Sequence, residues 1–133
     1  MTSGAEVRSD EFILRRVPPT PHNVKQRPDI GLTATSFAMR PRVGEEGPSW
    51  SRASITTPEQ LIRIEGEKRG AMVGWHVVAL PVARVRELGL DVRFDPTDED
   101  PGHCVIIERT QRFSDKLWSQ LAKHTRVLYT HPR

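Results

Sequence analysis

The chain contains one cysteine, Cys104, so it cannot form an internal disulfide, and we expect a reducing, cytoplasmic location. It also lacks the run of about 18 apolar residues that a membrane-spanning helix requires. The first ten residues, MTSGAEVRSD, do not contain the apolar segment of a signal peptide. These absences argue against a secreted disulfide scaffold and against a membrane protein.

The familiar catalytic signatures are also missing. The sequence contains no G-x-S-x-G, no P-loop and no G-x-G-x-x-G. His76, His103, Asp95 and Asp98 are suitable metal-ligand types, but no paired spacing such as HxxxH or CxxC accompanies them. We therefore assign no metal, and the sequence leaves any cofactor unknown.

What is present is a chain of single-domain size. Its 133 residues include 36% hydrophobic and 28% charged side chains, a balance typical of a globular domain with a polar surface. The polar, terminal position of residues 1–9 predicts a flexible N-terminus, followed by one α+β domain over residues 10–133.

The first half shows two well-marked elements. An apolar run predicts a strand over residues 12–17, ended by prolines. Residues 31–39 favour a second strand, and residues 40–56 read as a long irregular segment. Thr57, with Pro58 and Gln60 after it, is typical of a capped helix start, and Gly70 is expected to end that helix.

The second half has a regular pattern. Residues 74–130 predict strand, helix, strand, strand, helix, strand, which is the order of a ferredoxin-like βαββαβ unit. The predicted strands cover residues 75–80, 91–94, 103–108 and 127–129, and the helices follow Pro81 and Ser114. We expect an α+β fold with a mixed or antiparallel sheet and two or three helices.

An acidic loop, DPTDEDPG, leads directly into the apolar strand that begins at His103. Successive strand residues face opposite sides, so His103 and Cys104 cannot serve one pocket together. Cys104 is expected to be buried and inert. The loop could place a carboxylate on one ring nitrogen of His103 and leave the other for proton transfer. The alternative is a structural histidine that binds the loop backbone.

One functional hypothesis is an enzyme or nucleotide-binding domain. In it, Arg16 holds an anionic group and His103 acts as acid or base. An NAD-directed version resembles ADP-ribosyl-transferring domains in the order of its residues only, because their glycine-rich surroundings and central tyrosine are missing. The residues in that order are Arg15 or Arg16, Ser36 or Ser51, and Glu108. An arginine pair on a first strand is otherwise typical of a solvated edge.

The leading hypothesis is a small accessory subunit that binds a protein partner within a larger assembly. Tryptophan and arginine are common interface anchors, and the irregular segment contains Trp50 and Arg52. We therefore predict these two residues as interface positions.

A third hypothesis is nucleic-acid binding through the basic C-terminal quarter. Residues 108–133 carry six basic and two acidic side chains. The predicted contacts to phosphate are Arg109, Arg112, Lys116 and Lys123. Trp118 lies on the apolar stripe of the last helix, which favours a core position over base stacking. An ordinary solvated helix face explains the same charges.

The segments RRVPP near the start and DPTDEDPGH in the second half are similar to a pattern in a loose group of small bacterial proteins, RR(I/V)PP early and DP…P(A/G)H late. The resemblance implies a stand-alone bacterial cytosolic domain that acts beside other proteins, and it implies no activity. It marks a shared surface at Arg15, Arg16, Pro18, Asp95, Pro96, Pro101 and His103.

Overall fold

The computed structural model describes residues 6–42, 45 and 47–132. Within those ranges the chain forms the α+β fold that the sequence predicts. Its elements, in chain order, are β1 (Phe12–Val17), β2 (Val24–Arg27), β3 (Gly31–Ala34), α1 (Ser36–Met39), β4 (Ser49–Arg52), α2 (Pro58–Arg69), β5 (His76–Pro81), α3 (Val82–Glu87), β6 (Leu90–Phe94), β7 (His103–Glu108), α4 (Asp115–Lys123) and β8 (Arg126–Thr130).

The main sheet has six strands in the order β6–β7–β4–β1–β5–β8, and each neighbouring pair is antiparallel. Strands β2 and β3 form a separate antiparallel hairpin. The second half follows the predicted βαββαβ order, but its pairing is not that of a contiguous ferredoxin-like unit. Strands β1 and β4, from the first half, lie between β5 and β7 and form the centre of the sheet.

Helix α2 begins and ends as its sequence predicts. Thr57 Oγ1 accepts a hydrogen bond from the Gln60 backbone N–H at 3.2 Å, and Gln60 Oε1 accepts one from the Thr57 N–H at 2.8 Å. This reciprocal capping box satisfies two helix N–H groups that would otherwise lack acceptors. Gly70 ends the helix at a φ of 92°, a conformation that side chains with a Cβ rarely adopt.

The two faces of the sheet are covered differently. Helices α1, α3 and α4 pack on one face and bury its apolar side chains, among them Ile13, Trp50, Leu80, Cys104, Ile106 and Trp118. On the opposite face, α2 packs over β1, β5 and β8. The apolar contacts there include Leu14, Leu61, Ile62, Met72, Val77 and Ala79. The half of this face that is formed by β4, β7 and β6 is not covered by α2, and a groove lies on it.

The first half departs from the predicted pattern in three places. Residues 49–52, predicted as irregular, form the central strand β4, and β2 is a further strand that the sequence pattern did not indicate. The strand predicted over residues 31–39 ends at Ala34 and is followed by a one-turn helix. Of the N-terminus predicted as flexible, residues 1–5 lie outside the described residues, and Val7 is buried in the core.

Candidate functional site

The groove on the uncovered half of the sheet has a volume of about 410 Å³, and we call it the open groove. Val105 and Ile107 of β7 form an apolar part of its lining, and Phe113 lies beside them. The polar residues that line it are Glu45, Ser49, Arg93, Asp95, His103 and Glu108. Polar residues thus outnumber the apolar ones in this lining, which favours a polar ligand over an apolar one.

His103 stands at the start of β7 and lines the open groove. Its Nδ1 lies 2.8 Å from the Asp95 carbonyl oxygen and 3.3 Å from a carboxylate oxygen of the same residue. A carbonyl only accepts hydrogen bonds, so Nδ1 carries the hydrogen and Nε2 is left as the acceptor of the neutral ring. The sequence predicted for His103 either a carboxylate neighbour or a contact with the loop backbone, and Asp95 provides both.

The loop before β7 is held by the buried carboxylate of Asp100. That carboxylate accepts hydrogen bonds from Ser51 Oγ, from Thr56 Oγ1 at 2.6 Å and from the Gly102 N–H at 3.1 Å. The backbone carbonyl of Asp100 accepts the His103 N–H at 3.0 Å. Because these bonds join the loop to β4 and to the turn before α2, Asp100 sets the position of His103.

Of the four loop carboxylates, Asp95 and Asp98 were singled out from the sequence, and Asp100 was missed. One local signal was available, because an aspartate side chain commonly binds the backbone N–H two residues later in a turn, and the D-P-G tripeptide favours such a turn. The contacts to Ser51 and Thr56 come from distant positions in the chain, so no local pattern could have indicated them.

A second, smaller cavity of about 20 Å³ lies beside β1 and β4, and we call it the inner cavity. Arg16 and His103, the pair suggested by the sequence, both line it. The two residues stand on strands that are separated by β4 and lie about 10 Å apart across the sheet. The residue of β1 in the same row as His103 is Leu14, so Arg16 is offset from His103 by two further residues along β1. Ser49 and His103 line both the inner cavity and the open groove, which places the two spaces side by side.

Arg16 is held at its far end. Its Nη1 donates to the Leu61 carbonyl at 3.1 Å, and Nη2 lies 3.4 Å from Glu65 Oε1. Its Nε is buried and has no hydrogen-bond partner among the described residues. Arg16 therefore retains one donor that the described protein atoms do not satisfy.

Arg15 points to the opposite face and cannot serve the same site. It is 2% exposed, and its guanidinium donates to three backbone carbonyls, those of Ala38, Ser49 and Arg40, at 3.1, 2.6 and 2.9 Å. Burial lowers its pKa to about 9, so it remains cationic at neutral pH. The expectation of a solvated edge is wrong for Arg15, because β1 is a central strand.

The two predicted interface residues are buried within the chain itself. Trp50 is 1% exposed and Arg52 is 4% exposed. Nε and Nη2 of Arg52 donate to the two carboxylate oxygens of Glu11 at 2.8 and 2.7 Å, and its guanidinium lies 4.7 Å from the Phe94 ring centroid. In this fold neither side chain offers a surface that a partner could contact.

The NAD-directed set is not assembled as one site. Ser51 donates to Asp100, and Glu108 accepts the Phe113 N–H at 2.7 Å. Ser36 starts α1, which packs on the face opposite the groove.

The four residues predicted to contact phosphate are exposed. They are Arg109, Arg112, Lys116 and Lys123. Trp118 is 5% exposed and stacks on Phe113 with 4.7 Å between ring centroids, so the predicted core position of this tryptophan is confirmed. The basic surface therefore has no stacking platform from Trp118.

Two further expectations concern metal and thiol chemistry. Across residues 6–42, 45 and 47–132, no group of three or more His, Cys, Asp or Glu side chains is placed to hold a metal ion. His76 lies on β5, which is separated from β7 by both β4 and β1, and its Nδ1 contacts Thr130 Oγ1 at 2.8 Å. Cys104 is fully buried, as predicted, and this burial raises the pKa of its thiol to about 12.

Comparisons with protein-family models, with curated proteins and with solved structures found no match to this chain. Among the helices of the described ranges, none has both the length and the apolar character needed to cross a bilayer.

Proposed function

We propose that the protein binds a small polar ligand in the open groove and that His103 exchanges a proton with it through Nε2. The observation that carries this proposal is the contact between His103 Nδ1 and Asp95, which holds the ring at the wall of a groove of about 410 Å³. This function corresponds to the enzyme or ligand-binding hypothesis derived from the sequence.

The surroundings of His103 suit proton exchange. The contact of Nδ1 with Asp95 fixes the orientation of the ring and leaves Nε2 as the atom that exchanges a proton with the ligand. Val105 and Ile107 provide apolar contact for the ligand, and Arg93 supplies a charged group on the neighbouring strand.

A thermal-shift screen tests the proposal. The panel contains nucleotides, NAD, sugar phosphates and small carboxylic acids, each added to wild type, His103→Gln and His124→Gln. His124 is an exposed matched control at the end of α4, on the opposite face of the sheet. A ligand at about 100 times its Kd adds about 2.7 kcal/mol, which raises Tm by several degrees.

We expect at least one compound to raise the Tm of wild type and of His124→Gln, with a much smaller rise for His103→Gln. Equal rises in all three proteins, or no rise with any compound, would contradict a ligand site at His103. For a compound that binds, the pH dependence of its affinity in wild type and its loss in His103→Gln test the proton exchange.

A second candidate function is that of an accessory subunit whose partner binds at β8 and not at Trp50 and Arg52. Strand β8 ends the sheet, and its Leu128, which stands at a bulge, is 58% exposed, so it offers an apolar contact for a partner protein. A pull-down with wild type, Leu128→Lys and the equally exposed control Phe37→Lys tests it. The candidate predicts one stoichiometric protein that is lost only with Leu128→Lys, and equal recovery by all three would refute it.

A further inference from the structure

We infer that the ligand carries a carboxylate or phosphate group and that one of its oxygens accepts a hydrogen bond from Arg16 Nε–H in the inner cavity. This inference rests on the proposed function and names the chemical class of the ligand at one end of the site.

The first support is the distribution of unsatisfied donors. In the part of the chain that the structure describes, two buried side-chain polar atoms lack a hydrogen-bond partner, Arg16 Nε and Trp50 Nε1. Arg16 lines the inner cavity, whereas the Trp50 ring lies in the core on the other face of the sheet. A buried charged donor without an acceptor is destabilising. The unsatisfied Arg16 Nε therefore favours a bound group in this cavity that accepts hydrogen bonds.

The second support is the charge around the inner cavity. Arg16 and Arg42 line it together with a single carboxylate, that of Asp100, whereas the Arg15 guanidinium lies on the other face of the sheet. The Asp100 carboxylate already accepts three hydrogen bonds. Glu45 and Glu65 lie 3.6 and 3.4 Å from Arg15 and Arg16 and offset part of the positive charge, but neither lines this cavity. An acceptor that enters here is therefore favoured when it is negative.

The third support is size. A volume of about 20 Å³ holds one water-sized group, which matches one oxygen of an anion and not a whole ligand. Ser49 and His103 border both spaces, so a ligand with its anionic end at Arg16 can place its remaining atoms in the open groove beside His103 Nε2. Guanidinium groups bind carboxylates and phosphates through short, charge-assisted hydrogen bonds.

The test observes the arginine Nε–H groups of the whole ¹⁵N-labelled protein by NMR. Inorganic phosphate and acetate are titrated separately at constant ionic strength, and the Arg16 signal is identified by its loss in Arg16→Lys. Arg63, exposed on the same helix that holds Arg16, is the internal control, and Arg63→Lys is the matched variant. We expect a saturable shift of the Arg16 signal that persists in Arg63→Lys. In Arg16→Lys, the backbone amide signals of Ser49 and His103, which line the same cavity, should report an affinity at least about tenfold weaker.

The response to the two probes distinguishes a phosphate from a carboxylate ligand. If Arg16→Lys does not fold, the saturable shift in wild type still decides the question, with the signal assigned from backbone correlations. A shift that never saturates, or no shift with either probe, overturns the inference and leaves a buried water as the acceptor. The proposed function is judged separately, because the His103→Gln comparison in the ligand screen does not depend on either anion.

Discussion

Thr56 Oγ1 donates a 2.6 Å hydrogen bond to the carboxylate of Asp100, and this contact fastens the loop before β7 to the turn before α2. Gly102 follows within the same loop, and a Cβ there would collide with Thr56 Oγ1. The loop that contains Asp95 therefore has little freedom on the side that faces β4. The orientation of the His103 ring depends on this attachment as much as on its own contact with Asp95.

Asp100→Asn is expected to destabilise the protein by about 2–3 kcal/mol, because an amide cannot accept all three hydrogen bonds that the buried carboxylate receives. Urea unfolding at pH 7 measures the loss, and amide hydrogen exchange at His103 should accelerate. The matched control is Asp98→Asn in the exposed part of the loop, which should change the free energy of unfolding by less than about 0.5 kcal/mol. Equal effects of the two variants would contradict a fastening role.

Arg15→Met should cost about 3 kcal/mol or more, although methionine fills much of the same volume. The substitution leaves the carbonyls of Ala38, Arg40 and Ser49 without the donors that Arg15 supplies. Arg63→Met on the exposed face of α2 is the comparison, and we expect it to be nearly neutral. Thermal and urea unfolding of both variants provide the measurement, and a neutral Arg15→Met would show that these bonds add nothing to stability.

The Glu11–Arg52 pair predicts a specific dependence on pH. Burial raises the pKa of Glu11, but the hydrogen bonds from Arg52 and from the Arg8 backbone outweigh it, so the net pKa lies below the usual 4.5. Stability from this pair is present above the unfolded-state pKa and is lost as the pH falls through the lower, folded-state value.

Glu11→Gln should therefore be less stable than wild type at pH 7, and the difference should shrink below pH 4.5. Urea unfolding between pH 7 and pH 3 measures it, with the exposed Glu67→Gln as a control whose difference stays small throughout. A Glu11→Gln difference that does not change over this range would exclude the buried pair as its cause.

The Cys104 thiol should resist modification in the folded protein. It is fully buried, and that burial raises its pKa to about 12, so almost no thiolate exists at pH 8. We expect reaction with an aromatic disulfide reagent only at the rate of unfolding, and full reaction within the mixing time in concentrated denaturant. Rapid reaction without denaturant would show that the α4 side of the sheet opens locally.

The sequence correctly predicted those strands and helices that are marked by neighbouring residues, such as an apolar run or a capping box. The predicted bounds of β1 and β7 are the observed ones because each is an apolar run ended by proline or charge. The capping box of α2 was equally visible. Strand β4 was missed because its sequence, SWSR, is mostly polar. The buried Arg52 is stabilised by its hydrogen bond to Glu11, which is far away in the chain and so is not visible in the local pattern.

In the candidate site, too, contacts between residues that are near in the chain could be predicted and contacts between distant residues could not. The contact of His103 with Asp95 spans eight positions, so the sequence could suggest it. The approach of Arg16 to the same cavity depends on the insertion of β4 between β1 and β7, which no local pattern predicts. The burial of Trp50 follows from that strand as well, and it removes the surface that the interface hypothesis required.

The position of β1 and β4 at the centre of the sheet also governs how the protein can assemble. Ile13 pairs with Arg52 on one side and with Leu80 on the other. Because both partners are far from Ile13 in the chain, the central strands can pair only after long segments of chain have come together. Such a high contact order favours slow folding. During synthesis on the ribosome, β1 and β4 emerge before the later strands that flank them, and the nascent chain must keep the apolar β1 from aggregating until β5 is made.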